Sequence, residues 1–135
     1  MLKLRDEIAE QENGCATVGN NVVNMTLTDE PFRQISSGAK TVEVRLYDEK
    51  RRGIKVGDTI VFTLKNHEGE QIATEVTWLY TFPSFTELFS SELLDKAGFR
   101  GYSAKEAAEK MYDFYDQADE EKYGVLAIEI KVLAK

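Results

Sequence analysis

The sequence holds one cysteine, Cys15, and one histidine, His67, among 135 residues. A lone thiol cannot close an intramolecular disulfide and leaves no partner for a cysteine-based zinc site. The expectation is a chain of a reducing, cytoplasmic compartment with no metal and no cofactor. Long apolar runs are also missing: the longest unbroken one is Val125 to Ile128, whereas a membrane span needs ~18 residues. Near the N-terminus, Lys3, Arg5, Asp6, Glu7 and Glu10 interrupt Leu2, Leu4 and Ile8, so no signal-peptide apolar region can be drawn. Neither export nor a membrane partner is expected. There is no P-loop, no dinucleotide glycine fingerprint and no G-x-S-x-G elbow, which removes the sequence support for nucleotide hydrolysis, dinucleotide redox chemistry and α/β-hydrolase catalysis. Ser37 to Lys40 matches S-x-x-K but lacks that motif's companions.

What is present fits one soluble globular domain, with 42% hydrophobic and 30% charged residues. A chain this long buries a little over two thirds of its unfolded surface (~68%) and needs no staples. Its net charge of -7 argues against indiscriminate coating of duplex DNA. The charge is segregated, however. Residues 31–65 carry eight Lys/Arg and four Asp/Glu, leaving nine basic and 20 acidic residues elsewhere. Charge alone serves equally an anion site and simple neutralisation of acidic helices.

Residues 1–21 begin with a short polar helix candidate, run into turn formers and are expected to be a peripheral extension, with residues 22–135 forming the domain. Val22 to Leu27 reads as a strand. Thr28 or Asp29 caps a helix that accommodates Pro31 in its first turn, buries Phe32 and Ile35, and stops at Gly38. From Thr41 the period is two, so Thr41, Glu43 and Arg45 share one face and Val42, Val44 and Leu46 the other. A charged connector leads through Val56-Gly57-Asp58 into the strand Thr59 to Leu64. Asn66 to Gly69, with His67 as a solvated turn residue, joins it to a strand from Gln71 to about Tyr80. These strands are expected to be sequential and antiparallel. Ser84 and Glu87 form a capping box for a helix that breaks near Ser90-Ser91 and ends at Gly98. Ser103 and Glu106 form a second, with Ala104, Ala107, Ala108, Met111 and Tyr115 on one stripe. Val125 to Leu133 closes the fold as a buried strand. Strands with interspersed helices indicate α+β, as a small barrel.

The stretch from Gly38 to Arg45 concentrates Lys40, Thr41, Glu43 and Arg45 in a short arc. A glutamate can orient a guanidinium fork beside an ammonium, which suits a phosphate or carboxylate ligand. Spacing alone favours the simpler reading, a solvated strand face with a Glu43–Arg45 pair contributing about 0.2–1 kcal/mol. Tyr102, Tyr112, Phe114, Tyr115 and Tyr123 could stack on bases, although the stripe through Met111 and Tyr115 favours a core role, as does the strand position of Trp78. The acidic run from Asp113 to Glu121 reads as a solvated face that turns nucleic acid toward the opposite side, that of Lys40 and Arg51.

The pattern GxKxxExR at Gly38, Lys40, Glu43 and Arg45 follows a short helix and precedes Gly57-Asp58-x-Ile60-x-Phe62. In this the chain resembles the ASCH domain family of the PUA-like superfamily, in a small stand-alone bacterial form, from about Val22 onward. The resemblance implies a small PUA-like β-barrel of mostly antiparallel strands with flanking helices, and a cleft lined by the motif. It also implies a role around RNA binding, RNA processing or coactivation. On it, Gly38, Lys40, Glu43 and Arg45 would hold RNA, a nucleotide or a nucleoside, with Arg51, Arg52 and Lys55 as peripheral phosphate contacts. Some ASCH-like proteins are amidohydrolases that deacetylate N4-acetylcytidine with a lysine, a threonine nucleophile and a glutamate. Their threonine stands three residues after the lysine, where this chain has Glu43. If the chain is an enzyme, Lys40, Thr41 and Glu43 are the candidate reacting groups, with Glu87 or Glu92 as further carboxylates.

Overall fold

Strands form where apolar and polar side chains alternate, most plainly in Thr59 to Leu64, whose even-numbered residues Ile60, Phe62 and Leu64 are all buried. The structure is a computed structural model describing residues 2–3 and 19–134. Its strands are β1 (Leu2–Lys3), β2 (Val22–Leu27), β3 (Val42–Leu46), β4 (Thr59–Leu64), β5 (His67–Phe82) and β6 (Val125–Ala134). Its helices are α1 (Asp29–Ser37), α2 (Phe85–Phe89), α3 (Leu93–Lys96), α4 (Ala104–Met111) and α5 (Gln117–Tyr123). Among the described residues, no helix is long and apolar enough to cross a membrane.

All six strands belong to one sheet, in the order β2-β4-β5-β6-β3, with β1 added along β5. Register shifts in the β4–β5 and β5–β6 ladders add local bends. The sheet curls into a half-barrel, so the α+β, barrel-like architecture expected from the sequence is the one observed. The strand partners differ from the sequential antiparallel expectation. Among the described residues, β4 and β5 alone form a sequential hairpin; β3 pairs with β6, and β2 runs parallel to β4. Helix α1 carries the chain from one edge strand to the other, and the connector after β3 carries it back. Local alternation sets which face a residue takes, not which strand lies beside it.

The curl separates two apolar layers. Inside it, Ile60, Phe62, Ile72, Leu79, Leu126 and Ile128 meet Phe32 and Ile35 of α1. Outside, Val42, Val44, Leu46, Val125 and Ala127 are covered by α2, α3 and α4 through Phe85, Leu88, Leu93 and Ala107. Strand β6 is therefore buried on both faces, and each such aliphatic side chain contributes about 1.5–3 kcal/mol. Ser103 and Glu106 complete a reciprocal capping box at α4. Ser84 accepts from the Glu87 amide at α2. Helix α2 ends at Phe89 with Ser90 as its C-cap, and α3 begins at Leu93, so the break falls at Ser90-Ser91. At the N-terminus, Leu2 and Lys3 pair with Thr81 and Tyr80. Cys15 and the short helix expected near the start lie outside the described residues, apart from those two positions.

The Gly57-Asp58 motif is a structural fastener. Gly57 takes φ 99°, which favours glycine, and fully buried Asp58 accepts from the backbone amides of Lys55 (2.9 Å) and Asn21 (3.1 Å). A Cβ at Gly19 would collide with this carboxylate. Asp58→Ala leaves both amides without that acceptor and is expected to lower stability by about 3 kcal/mol in urea titrations. A change below about 0.5 kcal/mol, within the range of an ordinary surface substitution, would contradict this role.

Candidate functional site

Helix α1 ends at Gly38, whose φ of 87° turns the chain and whose amide bonds the Ile35 carbonyl. The Lys40 amide then donates to the Gln34 carbonyl (3.0 Å) and the Thr41 amide to the Lys96 carbonyl (2.9 Å). These bonds fix the approach to β3. Because β3 lies at the sheet edge, the face carrying Glu43 and Arg45 lies inside the curl, opposite Ile128 and Leu126 in the ladder. The polar face read as solvated is therefore buried. Lys40 is 8% exposed and Glu43 is 4% exposed.

One carboxylate serves two cations there. Glu43 Oε1 lies 3.0 Å from Lys40 Nζ, and Arg45 Nε donates to Oε2 at 2.7 Å. The Arg45 fork continues to the Thr26 carbonyl of β2 (3.2 Å), so a side chain bridges the two edge strands. Burial pushes the Glu43 carboxyl up, but the charges and hydrogen bonds of Lys40 and Arg45 outweigh it and hold the group below its ordinary value. Burial likewise opposes the Arg45 charge, and Glu43 restores it. The Tyr115 hydroxyl sits against this guanidinium; burial raises its pKa despite the neighbouring positive charge.

The triad lies in a cleft of about 730 Å³, lined also by Thr26, Gln34 and Lys65, by the 97–100 loop, and by Tyr102, Lys110, Asp113, Phe114 and Tyr115. Its lining holds five cations, Lys40, Arg45, Lys65, Arg100 and Lys110, against three carboxylates, Glu30, Glu43 and Asp113. Of the residues picked out in the sequence, Lys40, Glu43 and Arg45 are brought together. Gly38 is an exposed helix cap, and Thr41 is absent from the lining. Arg51 pairs with Asp48 (2.8 Å) and lines a separate recess, Arg52 stacks on the Tyr47 ring (4.4 Å), and Lys55 is exposed outside the cleft. Glu87, Glu92 and His67 are exposed and do not line it. Among the described residues, no group of three or more His, Cys, Asp or Glu side chains could hold a metal ion.

The core role that the sequence favours for the aromatic residues does not hold for two of them. Tyr102 (39% exposed) and Phe114 (66% exposed) stand in the cleft wall rather than the core. Tyr115 follows the end of α4, so the helical stripe does not extend to it. The acidic run does not face away from the site, since Asp113 lines the cleft. Nor is it wholly solvated: buried Glu120 accepts from the Phe85 amide and the Tyr112 hydroxyl, both at 2.7 Å. Burial and this carboxylate push the Tyr112 hydroxyl up to about 12. Gly98, at φ 91°, lets the loop approach; a Cβ there would lie 2.6 Å from Gln34 Oε1 and 3.4 Å from Lys40 Cδ.

A carboxyl group whose pKa is lowered by folding contributes stability that is complete above its unfolded value, about 4.3, and is lost as pH falls through the folded one. Stability is expected to decline below about pH 4 with a contribution from Glu43. Glu43→Gln should be less stable at pH 7 by about 3–5 kcal/mol, because it strands two buried cations, and should lose less than the parent on acidification. Parallel pH profiles for the two proteins in denaturant titrations would contradict this.

The ASCH domain model matches residues 25–134. Hypothetical protein PH0355, known from a crystal structure, is 36% identical, with a TM-score of 0.74 over 83% of this chain and 99% of its own. Protein PF0455 from Pyrococcus furiosus, solved by NMR, is 36% identical, with a TM-score of 0.65 over 83% of this chain and 97% of its own. The ASCH domain from Lactobacillus crispatus shares the fold at 17% identity, with a TM-score of 0.60 over 84% of this chain and 81% of its own. No curated protein matches the chain. With its matched region spanning the curled sheet, the buried triad and the cleft, this chain belongs to the ASCH domain family.

Proposed function

We propose that the protein binds RNA or an RNA-derived nucleotide in the cleft, with Lys40 and Arg45 as anion contacts and Glu43 orienting them. The observation that carries this reading is the Lys40 ammonium. It is buried in the cleft lining and has one carboxylate partner among the described residues, Glu43, although an ammonium carries three donors. Its remaining donors suit a ligand oxygen. The exposed rings of Tyr102 and Phe114 stand in the same cleft and offer stacking surfaces, worth about 1–3 kcal/mol per base. The cleft's positive balance contrasts with a net charge of -7 for the chain, which favours an anionic ligand there. Membership of a family with a role around RNA binding supports the same reading, and an RNA ligand suits a cytoplasmic protein.

Amide hydrolysis of an acylated nucleoside has less support. Both Glu43 oxygens are engaged, and its lowered pKa makes it a weak base at neutral pH. Thr41 is outside the cleft lining, so Lys40 and Thr41 are not paired across it. Release of cytidine from N4-acetylcytidine, followed by chromatography, is expected to stay at background. Turnover abolished by Lys40→Ala would reverse this ranking.

Binding is tested by fluorescence anisotropy of a short single-stranded RNA across a salt series. Phe114→Ala and Tyr102→Ala are each expected to weaken binding by about tenfold. Lys110→Ala is expected to flatten the salt dependence by about 0.7 in log–log slope. These positions are exposed, so thermal melts should remain close to the parent. Unchanged affinity in all three variants would overturn the cleft as the binding site.

A further inference from the structure

A second recess, of about 240 Å³, adjoins the cleft. Strand β2 contributes four lining residues, Val23, Asn24, Met25 and Thr26, while the charged lining is Arg45, Lys50 and Arg51, with no carboxylate in the lining. Thr26 and Arg45 line both spaces. They are also the two ends of the bridge between the edge strands, through the hydrogen bond from Arg45 Nη2 to the Thr26 carbonyl. Cleft and recess therefore meet at that bridge. Arg51 is held by Asp48 Oδ2 at 2.8 Å, whereas exposed Lys50 has no ion-pair partner among the described residues. Arg45 and Arg51 are each paired with a carboxylate, Glu43 and Asp48, so Lys50 is the uncompensated charge at the recess, and an anion seated there meets that charge beside two guanidinium groups already held in place.

We propose that the recess is a second phosphate subsite and that the ligand is a single strand of RNA of at least two nucleotides, whose backbone crosses the Arg45–Thr26 bridge. This inference rests on the RNA-binding reading of the cleft. A nucleoside or mononucleotide fills one space, whereas a strand carries a phosphate at every residue and can supply anions to both. Arg45 then acts as the shared contact, its orientation set by Glu43 on one side and by the β2 backbone on the other. Lys50 supplies the mobile charge at the recess, and Arg51, fixed by Asp48, supplies the immobile one.

Uridine 5′-monophosphate and oligouridylates of two, four and six nucleotides, titrated by calorimetry against the parent protein, Lys50→Ala, Lys50→Glu and Lys131→Ala, test the inference. Lys131 is exposed on β6 and serves as the control for general charge loss. The parent is expected to gain at least tenfold in affinity between one nucleotide and four. Lys50→Ala should shrink that gain by about three- to tenfold and reduce the salt slope for the longer strands by about 0.7. Lys50→Glu should shrink it further, and Lys131→Ala should preserve it. Mononucleotide binding with no gain on lengthening, or a gain that both Lys50 variants retain, would overturn the strand track while leaving the cleft reading intact. Failure of every RNA to bind would overturn both.

Discussion

A glutamate held between a lysine and an arginine, inside a curled sheet, is the constraint on which this site depends. Removing three charged side chains from water is expensive, and mutual attraction compensates only when their geometry is good. Here the geometry is supplied by the backbone. Gly38 ends α1, the Gln34 and Lys96 carbonyls fix the two residues at Lys40 and Thr41, and the β3–β6 ladder sets Glu43 and Arg45 two residues apart on the inner face. Each cation then meets its own oxygen of one carboxylate.

The same group joins site to fold. Strands β2 and β3 are the two ends of the sheet path, and the Arg45 guanidinium spans from Glu43 on one to the Thr26 carbonyl on the other. A buried ion cluster of this kind contributes little net stability compared with apolar packing, which the two layers of the core already supply. Its physical effect is orientation. The guanidinium and ammonium are held before a ligand arrives, so less conformational freedom is lost on binding. The surrounding wall is built differently, from the exposed rings of Tyr102 and Phe114 on either side of α4 and from exposed Lys65 and Lys110, side chains that can adjust to a ligand.

Much of the framework was legible in the sequence because it is written in local chemistry. Ser84 and Ser103 each accept from the amide three residues on, with the reciprocal glutamate bond of a full capping box at Ser103, Gly38 adopts the left-handed conformation that a helix stop requires, and period two places Glu43 and Arg45 on one face. Burial was harder to read. Alternation assigns faces but does not say that an edge strand curls its polar face inward, so the face carrying Glu43 looked solvated. Strand pairing was equally hidden, since α1 and the connector after β3 choose the partners. Tyr115 packs against the outer layer of the core, stacked on Phe85, as its spacing suggests, although the helix that would carry the stripe ends at Met111. Glu120 sits in an acidic helix, and nothing local distinguishes it from solvated neighbours. It is buried because the Phe85 amide and Tyr112 hydroxyl converge on it. The one clue to burial at the triad was compensation, a single carboxylate flanked by a cation three residues before and another two residues after.

Nitrogen-15 NMR on the intact protein tests most directly whether the triad forms the ligand-facing floor of the cleft. On adding single-stranded RNA, the Arg45 Nε–H signal and the backbone amides of Lys40, Gly98 and Tyr115 should shift together, while the amides of Glu68 to Gln71 at the start of β5 stay in place. Shifts confined to that hairpin or to the outer surface of the sheet, with the Arg45 Nε–H signal unmoved at saturation, would contradict a binding role for the buried triad.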